Sequence, residues 1–251
     1  IFPSNMPGKR NYWKRVPIGT VGVIAPWNFP ILLAMRSVFP ALAMGNCVIL
    51  KPDPKSSICG GVLMAKILED AGLPEGVFHV LPGGPDVGQA LVEHPLVKMI
   101  SFTGSTAVGK KIGETCGRML KKAALELGGN NAQVVLEDAD LDIASSCGAW
   151  GSFLHQGQIC MQTGRHLVHR SVADEYIERL AARAGNLACG NPAQEQAHLG
   201  PLINEAQAKR VEDIVNRSVE MGARIVVGGK RNGNYYEATV MSDVTPDMPV
   251  F

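Results

Sequence analysis

The sequence predicts an α/β protein: an open, mostly parallel sheet with helices on both faces, followed by part of a second α/β unit. Three observations carry this. Short apolar runs alternate with segments of helical periodicity from Val21 onward, the links between them are short and glycine-rich, and the pattern restarts after Gly128-Gly129. We therefore expect one domain over residues 1–128 and a second over 129–251. Open parallel sheets take ligands beyond the carboxyl ends of their strands, so the residues that close each strand are the first to weigh.

Ile1 to Asn11 holds Pro3, Ser4, Asn5, Pro7 and Gly8 and reads as a surface loop. Val21 to Ala25 is a short buried strand, which Pro26-Trp27-Asn28-Phe29-Pro30 must break. Ile31, Leu32, Met35, Val38, Phe39, Leu42 and Ala43 recur at helical spacing, giving a helix kinked at Pro40 and ended by Gly45 and Asn46. Cys47 to Lys51 is the next strand; Ser56 or Ser57 caps a helix running to Ala71, with Gly72 as its C-terminal cap. Strand Val77 to Leu81, helix Asp86 to Glu93, strand Met99 to Thr103, a turn at Gly104 and a helix to about Cys116 continue the alternation. Ala123 to Leu127 adds a strand that ends on two glycines. In the second unit, strands are expected at Gln133 to Leu136, His166 to His169 and Arg224 to Val227. Its helices are expected near Leu141 to Phe153, Val172 to Ala184 and Glu205 to Met221.

Composition narrows the function. With 24 basic against 23 acidic residues, a net charge of +1 and no basic run, the chain lacks the electrostatic footprint of a nucleic-acid binder. The apolar stretch from Val21 to Met44 is cut by Pro26, Asn28, Pro30, Arg36 and Pro40, so no membrane span is expected. Six cysteines, at 47, 59, 116, 147, 160 and 189, form no CxxC pair and no His/Cys cluster with zinc spacing, so no metal site is expected. No signal peptide is visible, and reduced thiols fit a cytoplasmic setting. The chain opens on Ile1 and stops at Phe251 without a helix or polar tail, which reads as an internal fragment of a longer protein.

Several segment ends and loops carry groups that suit chemistry, Cys160 following the expected end of a helix. Cys160, in Gln156-Gly157-Gln158-Ile159-Cys160, is a candidate nucleophile, with two amide side chains to brace its turn. A lone cysteine is by itself more often a buried core residue. Gly104-Ser105-Thr106-Ala107-Val108-Gly109-Lys110-Lys111 follows a strand and opens a helix, the arrangement that aims backbone N–H groups at a phosphate. It nearly matches the NTPase P-loop, but Lys111 stands where a magnesium-ligating hydroxyl is needed; a plain glycine-rich turn is the other reading. Lys51, fixed by Pro52-Asp53-Pro54, puts a cation over the carboxyl edge, or is simply a solvated strand-end lysine. Asn28 offers an amide donor in an apolar loop, either as a turn residue or toward a developing oxyanion. Glu126 closes an apolar strand, where a carboxylate has its charged form disfavoured, as a general base needs, although salt-bridged structural glutamates are commoner.

Taken together, Pro26-Trp27-Asn28-Phe29-Pro30, Lys51-Pro52, Phe102-Thr103-Gly104-Ser105-Thr106 with Gly109, Glu126-Leu127-Gly128-Gly129 and Gly157-Gln158-Ile159-Cys160, in this order, resemble the aldehyde dehydrogenase superfamily. The resemblance runs from about Val16 to the last residue. It implies a Rossmann-like coenzyme domain, part of a catalytic domain and NAD or NADP as cofactor. It also implies a small-molecule aldehyde as substrate and a parent enzyme that is a homo-oligomer, dimer or tetramer. By it, Cys160 is the nucleophile, Asn28 with the Cys160 N–H the oxyanion hole and Glu126 the general base. Lys51 is implied as a ribose contact and Ser105 with the turn from Gly104 to Gly109 as a pyrophosphate contact, with Pro26, Trp27 and Gly128 beside the cofactor. Members that carry this glutamate hydrolyse the acyl-enzyme instead of passing it to coenzyme A.

Many NAD-preferring members carry a glutamate three residues after the motif lysine; Pro54 stands there, so NADP should be tolerated. The family's Glu-x-Phe-Gly-Pro segment, and the terminal segments that complete its oligomerisation domain, would lie outside this chain. Met35-Arg36-Ser37 and Phe153 to Met161 look most like bacterial benzaldehyde and vanillin dehydrogenases, with Phe29, Leu32, Ile159 and Met161 as candidates for an apolar slot. His155 is either a contact to a ring substituent or a structural histidine.

Overall fold

Alternation of short apolar runs with helical segments builds two compact units, residues 1–127 and 128–251, in a computed structural model that describes residues 3–251. In unit 1 the strands are β1 (Thr20–Ile24), β2 (Cys47–Lys51), β3 (Phe78–Val80), β4 (Val97–Gly104) and β5 (Lys122–Leu127). They form one five-stranded sheet in the order β3-β2-β1-β4-β5, and every pairing is parallel. The expected N-terminal loop is irregular from Pro3 onward, and its first two residues lie outside the described range.

Helices cover both faces. Helix α1 (Pro30–Ala43) buries Ala34, Met35 and Val38 against Val21, Val23, Val48 and Leu50, joined by Met64 of α2 (Leu63–Asp70). On the other face, α3 (Pro85–Glu93) and α4 (Thr106–Arg118) bring Leu91, Val92, Ile112 and Cys116 onto Val97, Ile100 and Phe102. Fully burying residues such as Leu50 or Ile100 contributes about 1.5–3 kcal/mol each.

One expected element differs. Ser57 stands at the N-cap as expected, but without a side-chain capping bond, and the helical run it opens begins as a π turn at Ile58–Val62 that passes unbroken into α2; just before it, Asp53 caps a short 3-10 turn at Pro54–Ser56 by accepting from the Lys55 N–H. The π turn presses one glycine onto the end of β2 and the other onto the start of α1, since a Cβ on Gly61 would lie 2.7 Å from Pro52 and one on Gly60 2.7 Å from Pro30. Helix α2 does end as read, with Gly72 at φ +84, its N–H on the Glu69 carbonyl and the Leu73 N–H on the Leu68 carbonyl.

Unit 2 opens with β6 (Asn131–Val135), α5 (Leu141–Phe153) and β7 (Thr163–Val168), and β6 and β7 pair in parallel. Helix α6 (Ala173–Gly185) adds Tyr176, Leu180 and Ala184 to a core with Val135, Leu199, Ala238 and Val240. Helix α7 (Glu205–Glu220), strand β8 (Arg224–Val227), the hairpin β9 (Arg231–Asn232) and β10 (Tyr235–Tyr236), and β11 (Val240–Ser242) complete it. β11 runs antiparallel to β8, a pairing the sequence pattern did not announce. Among the described residues no helix is long and apolar enough to cross a membrane.

Candidate active site

Because the strands of unit 1 are all parallel, their carboxyl ends share one edge and the strand order fixes what stands there. Ile24 pairs with both Lys51 and Phe102, and Thr103 pairs with Glu126. Lys51, the loop Pro26-Trp27-Asn28, the turn Gly104-Ser105 and Glu126 therefore stand side by side at the ends of β2, β1, β4 and β5. The chain winds outward from β1 to β3 and then crosses back to β4, which puts the topological switch between β1 and β4. There α1 and α4 leave toward opposite faces, opening the crevice where such sheets take ligands.

Each group on this edge has a distinct environment. Lys51 is only 7% exposed; burial pushes its ammonium below its ordinary value, while the charges of Asp53 and Asp86 pull the other way. Such a partly desolvated cation binds a hydroxyl or phosphate oxygen more strongly than a solvated one. Asn28 is half-buried, and its Oδ1 accepts from the Phe29 N–H at 3.1 Å, which leaves the amide nitrogen as its donor end. Trp27 and Phe29 are half-buried beside it, whereas Leu32, in the first turn of α1, is 64% exposed.

Ser105 is the N-cap of α4 and accepts from the Val108 N–H at 3.4 Å. Its hydroxyl thus serves its own helix, and what the turn presents outward is the positive helix end. The P-loop reading fails here. Residues from Thr106 onward are already helical, so no long phosphate-wrapping loop exists. Gly109 is buried in the first turns of α4, where a Cβ would collide with Leu127, so the absence of a side chain allows close helix-to-sheet packing there. Gly104 keeps the turn low, because a Cβ there would meet the Phe102 ring at 2.5 Å. A helix N-terminus for a pyrophosphate and a buried lysine for hydroxyls fit a dinucleotide on this edge.

Glu126 departs from expectation. Its side chain is 66% exposed, so the apolar surroundings inferred from its strand are not there. The reason is its place on the outermost strand, followed by two glycines that bring no side chain to cover it. Its carboxylate faces Arg36 Nη2 at 3.6 Å, and the same nitrogen donates to Thr103 Oγ1 at 3.1 Å. Arg36 was not a candidate from sequence alone, since one arginine on the outer face of an amphipathic helix reads as solvated.

In unit 2, α5 ends at Phe153 and the chain turns through His155, Gln156 and Gly157 at φ 53, 56 and 68. Left-handed backbone suits the glycine but strains the two residues before it. Amide side chains brace the turn: Gln158 Oε1 accepts from the Ile203 N–H at 2.9 Å, and Gln156, with its amide carbonyl turned to Gly200, accepts from that N–H at 3.0 Å. Asn131 Nδ2 donates to the carbonyl oxygens of Cys160 at 3.0 Å and Gln162 at 2.9 Å. Cys160 is half-buried and unpaired with other thiols, between Ile159 at 8% exposure and Met161 at 71%. The two neighbours therefore point different ways, Ile159 into the unit and Met161 outward. Gly128 is exposed at the start of unit 2.

Two histidines near this segment are shifted toward the neutral form. Burial pushes both His155 and His166 below the ordinary imidazole value. Ser152 Oγ donates to the Thr163 carbonyl at 2.7 Å, so at 3.0 Å it accepts from His166 Nε2–H, and His166 Nδ1 then accepts from the Tyr176 hydroxyl at 2.7 Å. Burial pushes the Tyr176 phenol up to about 12, consistent with that donor role. A cavity of about 640 Å³ lies beside this network within unit 2, but none of the sequence-selected site residues lines it. No group of three potential metal ligands occurs among the described residues.

With this geometry in view, similarity to known proteins is informative. A model of the aldehyde dehydrogenase family matches residues 1–251. A benzaldehyde dehydrogenase (NAD+) of Pseudomonas putida is 61% identical over 251 residues, which are 100% of this chain and 52% of that protein. A vanillin dehydrogenase of an Amycolatopsis species is 56% identical, again over 100% of this chain and 51% of the relative. The chain thus spans about half the length of these curated relatives. The crystal structure of an NAD-dependent benzaldehyde dehydrogenase from Corynebacterium glutamicum superposes with a TM-score of 0.92 at 45% identity, over 99% of this chain and 55% of that one.

Proposed function

Because the chain belongs to the aldehyde dehydrogenase family, we propose that it carries the machinery for NAD(P)-dependent oxidation of an aromatic, benzaldehyde-like aldehyde to its carboxylic acid. The observation that supports this most is the row of Lys51, Asn28, Ser105 and Glu126 at neighbouring strand ends, centred on the switch point of a parallel sheet. Relatives that act on benzaldehyde and vanillin support the aromatic substrate.

Cys160 is the nucleophile. Its thiolate sulfur bonds to the aldehyde carbon, giving a thiohemiacetal whose oxyanion is met by the Asn28 amide and the Cys160 N–H. A nicotinamide dinucleotide, when bound, would supply the hydride acceptor that oxidation of an aldehyde requires. Lys51 and the N-terminus of α4 would hold its ribose and pyrophosphate, with Trp27 and Pro26 alongside. Glu126 then takes a proton from water, the water oxygen bonds to the thioester carbon, the carbon–sulfur bond breaks and the acid leaves with the Cys160 thiolate restored. Phe29, Leu32 and Met161 offer apolar surface for a flat ring, and Pro54 leaves both cofactors admissible.

Kinetics of the full-length protein on benzaldehyde, vanillin, salicylaldehyde and hexanal with each cofactor test the reading. Aromatic aldehydes should lead in kcat/KM; a preference for hexanal would favour an aliphatic or broad enzyme, and no turnover at all a binding homologue.

A further inference from the structure

Arg36 lies one helical segment away from Asn28, yet it reaches across the carboxyl edge to the ends of two other strands. Its Nη2 donates to Thr103 Oγ1 at 3.1 Å on β4 and stands 3.6 Å from Glu126 Oε2 on β5. Thr103 is buried, so its hydroxyl is a fixed post. The next residue on α1, Ser37, shares a 2.9 Å hydrogen bond with Ser101, which ties the same turn of the helix to β4. The guanidinium is thus held from both its helix and its tip, while Glu126 extends from an edge strand into solvent with glycines on its far side.

A solvated glutamate samples several rotamers, and a water-activating base works only in those that meet the reacting water. An exposed ion pair contributes little to stability, so a stabilising role does not account for this arrangement well. We propose that Arg36 is a positioning residue that holds the Glu126 carboxylate in the orientation from which it deprotonates the hydrolytic water. The inference rests on the function proposed above and concerns only the second half-reaction. Hydride release needs the Cys160 adduct and not the base, so the two half-reactions respond differently to Arg36.

Rapid-mixing kinetics of the full-length protein separate the cases, reading the reduced-cofactor burst against the steady-state rate. Glu126→Gln fixes the baseline: a full burst with slow turnover upholds the proposed function, and unaltered turnover removes that function irrespective of Arg36. Given that baseline, Arg36→Gln should keep the burst and lower deacylation roughly fivefold to tenfold, with Arg36→Lys recovering much of the loss. Thr103→Val, which removes the post without touching the charge, should lower deacylation in the same direction by less. Arg36→Gln combined with Glu126→Gln should be no slower than Glu126→Gln alone, because one residue acts through the other. Unchanged or faster deacylation in Arg36→Gln would overturn the proposal, as would a burst and a steady-state rate that fall together. Should Arg36→Gln fail to fold, Thr103→Val and Arg36→Lys decide it: deacylation equal to wild type in both overturns it.

Discussion

Asn131 Nδ2 donates to the carbonyl oxygen of Cys160 at 3.0 Å and to that of Gln162 at 2.9 Å, so a residue at the start of β6 clamps the segment that carries the thiol. Replacing it frees two carbonyls and a turn already strained at His155 and Gln156. Asn131→Ala should cost about 1–2 kcal/mol of stability and slow adduct formation on the order of tenfold to a hundredfold. Chemical denaturation and the burst rate measure the two effects separately.

Gly109 and Leu127 make the analogous packing claim in unit 1. A Cβ on Gly109 collides with the Leu127 side chain, so Gly109→Ala must push α4 away from β5 or displace a leucine. A loss of about 1–3 kcal/mol is expected. A denaturation midpoint equal to wild type would show that the helix yields freely, and that Gly109 has some other purpose.

Pro54 is the position we propose for a test of cofactor choice. With no carboxylate there, nothing at that position repels a 2'-phosphate, so NADP and NAD should both support turnover. Pro54→Glu should lower kcat/KM for NADP relative to NAD by about tenfold, equivalent to roughly 1.4 kcal/mol. An unaltered ratio would place the discrimination elsewhere.

Stability should fall in mild acid. His166 is buried neutral between Ser152 and Tyr176, and its proton affinity is lower folded than unfolded. The unfolded chain therefore takes up a proton that the folded chain refuses, so stability is full above the ordinary imidazole value of about 6.5 and declines as pH falls below it toward the depressed folded value. Each such histidine gives a slope of at most about 1.4 kcal/mol per pH unit. His155, shifted in the same direction by burial, adds to the same decline. Urea titrations at pH 7.5 and 5.0 should show this loss in wild type and a smaller one in His166→Gln.

How far the sequence carries the structure depends on the kind of signal. Cys47–Lys51, Leu141–Phe153 and Arg224–Val227 are found with the expected ends, because each is bounded by strong breakers or caps, such as Asp140 accepting from the Asp142 and Ile143 N–H groups. The strands β9 to β11 were missed since two or three residues carry no period. At Ser57 the helix start was legible, but the π geometry of its first turn and the separate 3-10 turn capped by Asp53 carry no sequence period. Among site residues, the strand-end position of Lys51 and the loop position of Asn28 were legible. Exposure was not legible for Glu126, because an apolar strand does not say whether it is central or at the edge. Arg36 depends on strand order, which only the fold supplies.

The covalent role of Cys160 is the claim on which the rest stands. Full-length Glu126→Gln protein, mixed with benzaldehyde and NAD, quenched in acid within seconds and examined by peptide mass spectrometry, reads it directly. The account predicts a benzoyl mass increment on the peptide that contains Cys160 and none in Cys160→Ala. An increment on another cysteine, or reduced cofactor formed at the wild-type rate by Cys160→Ala, would contradict it.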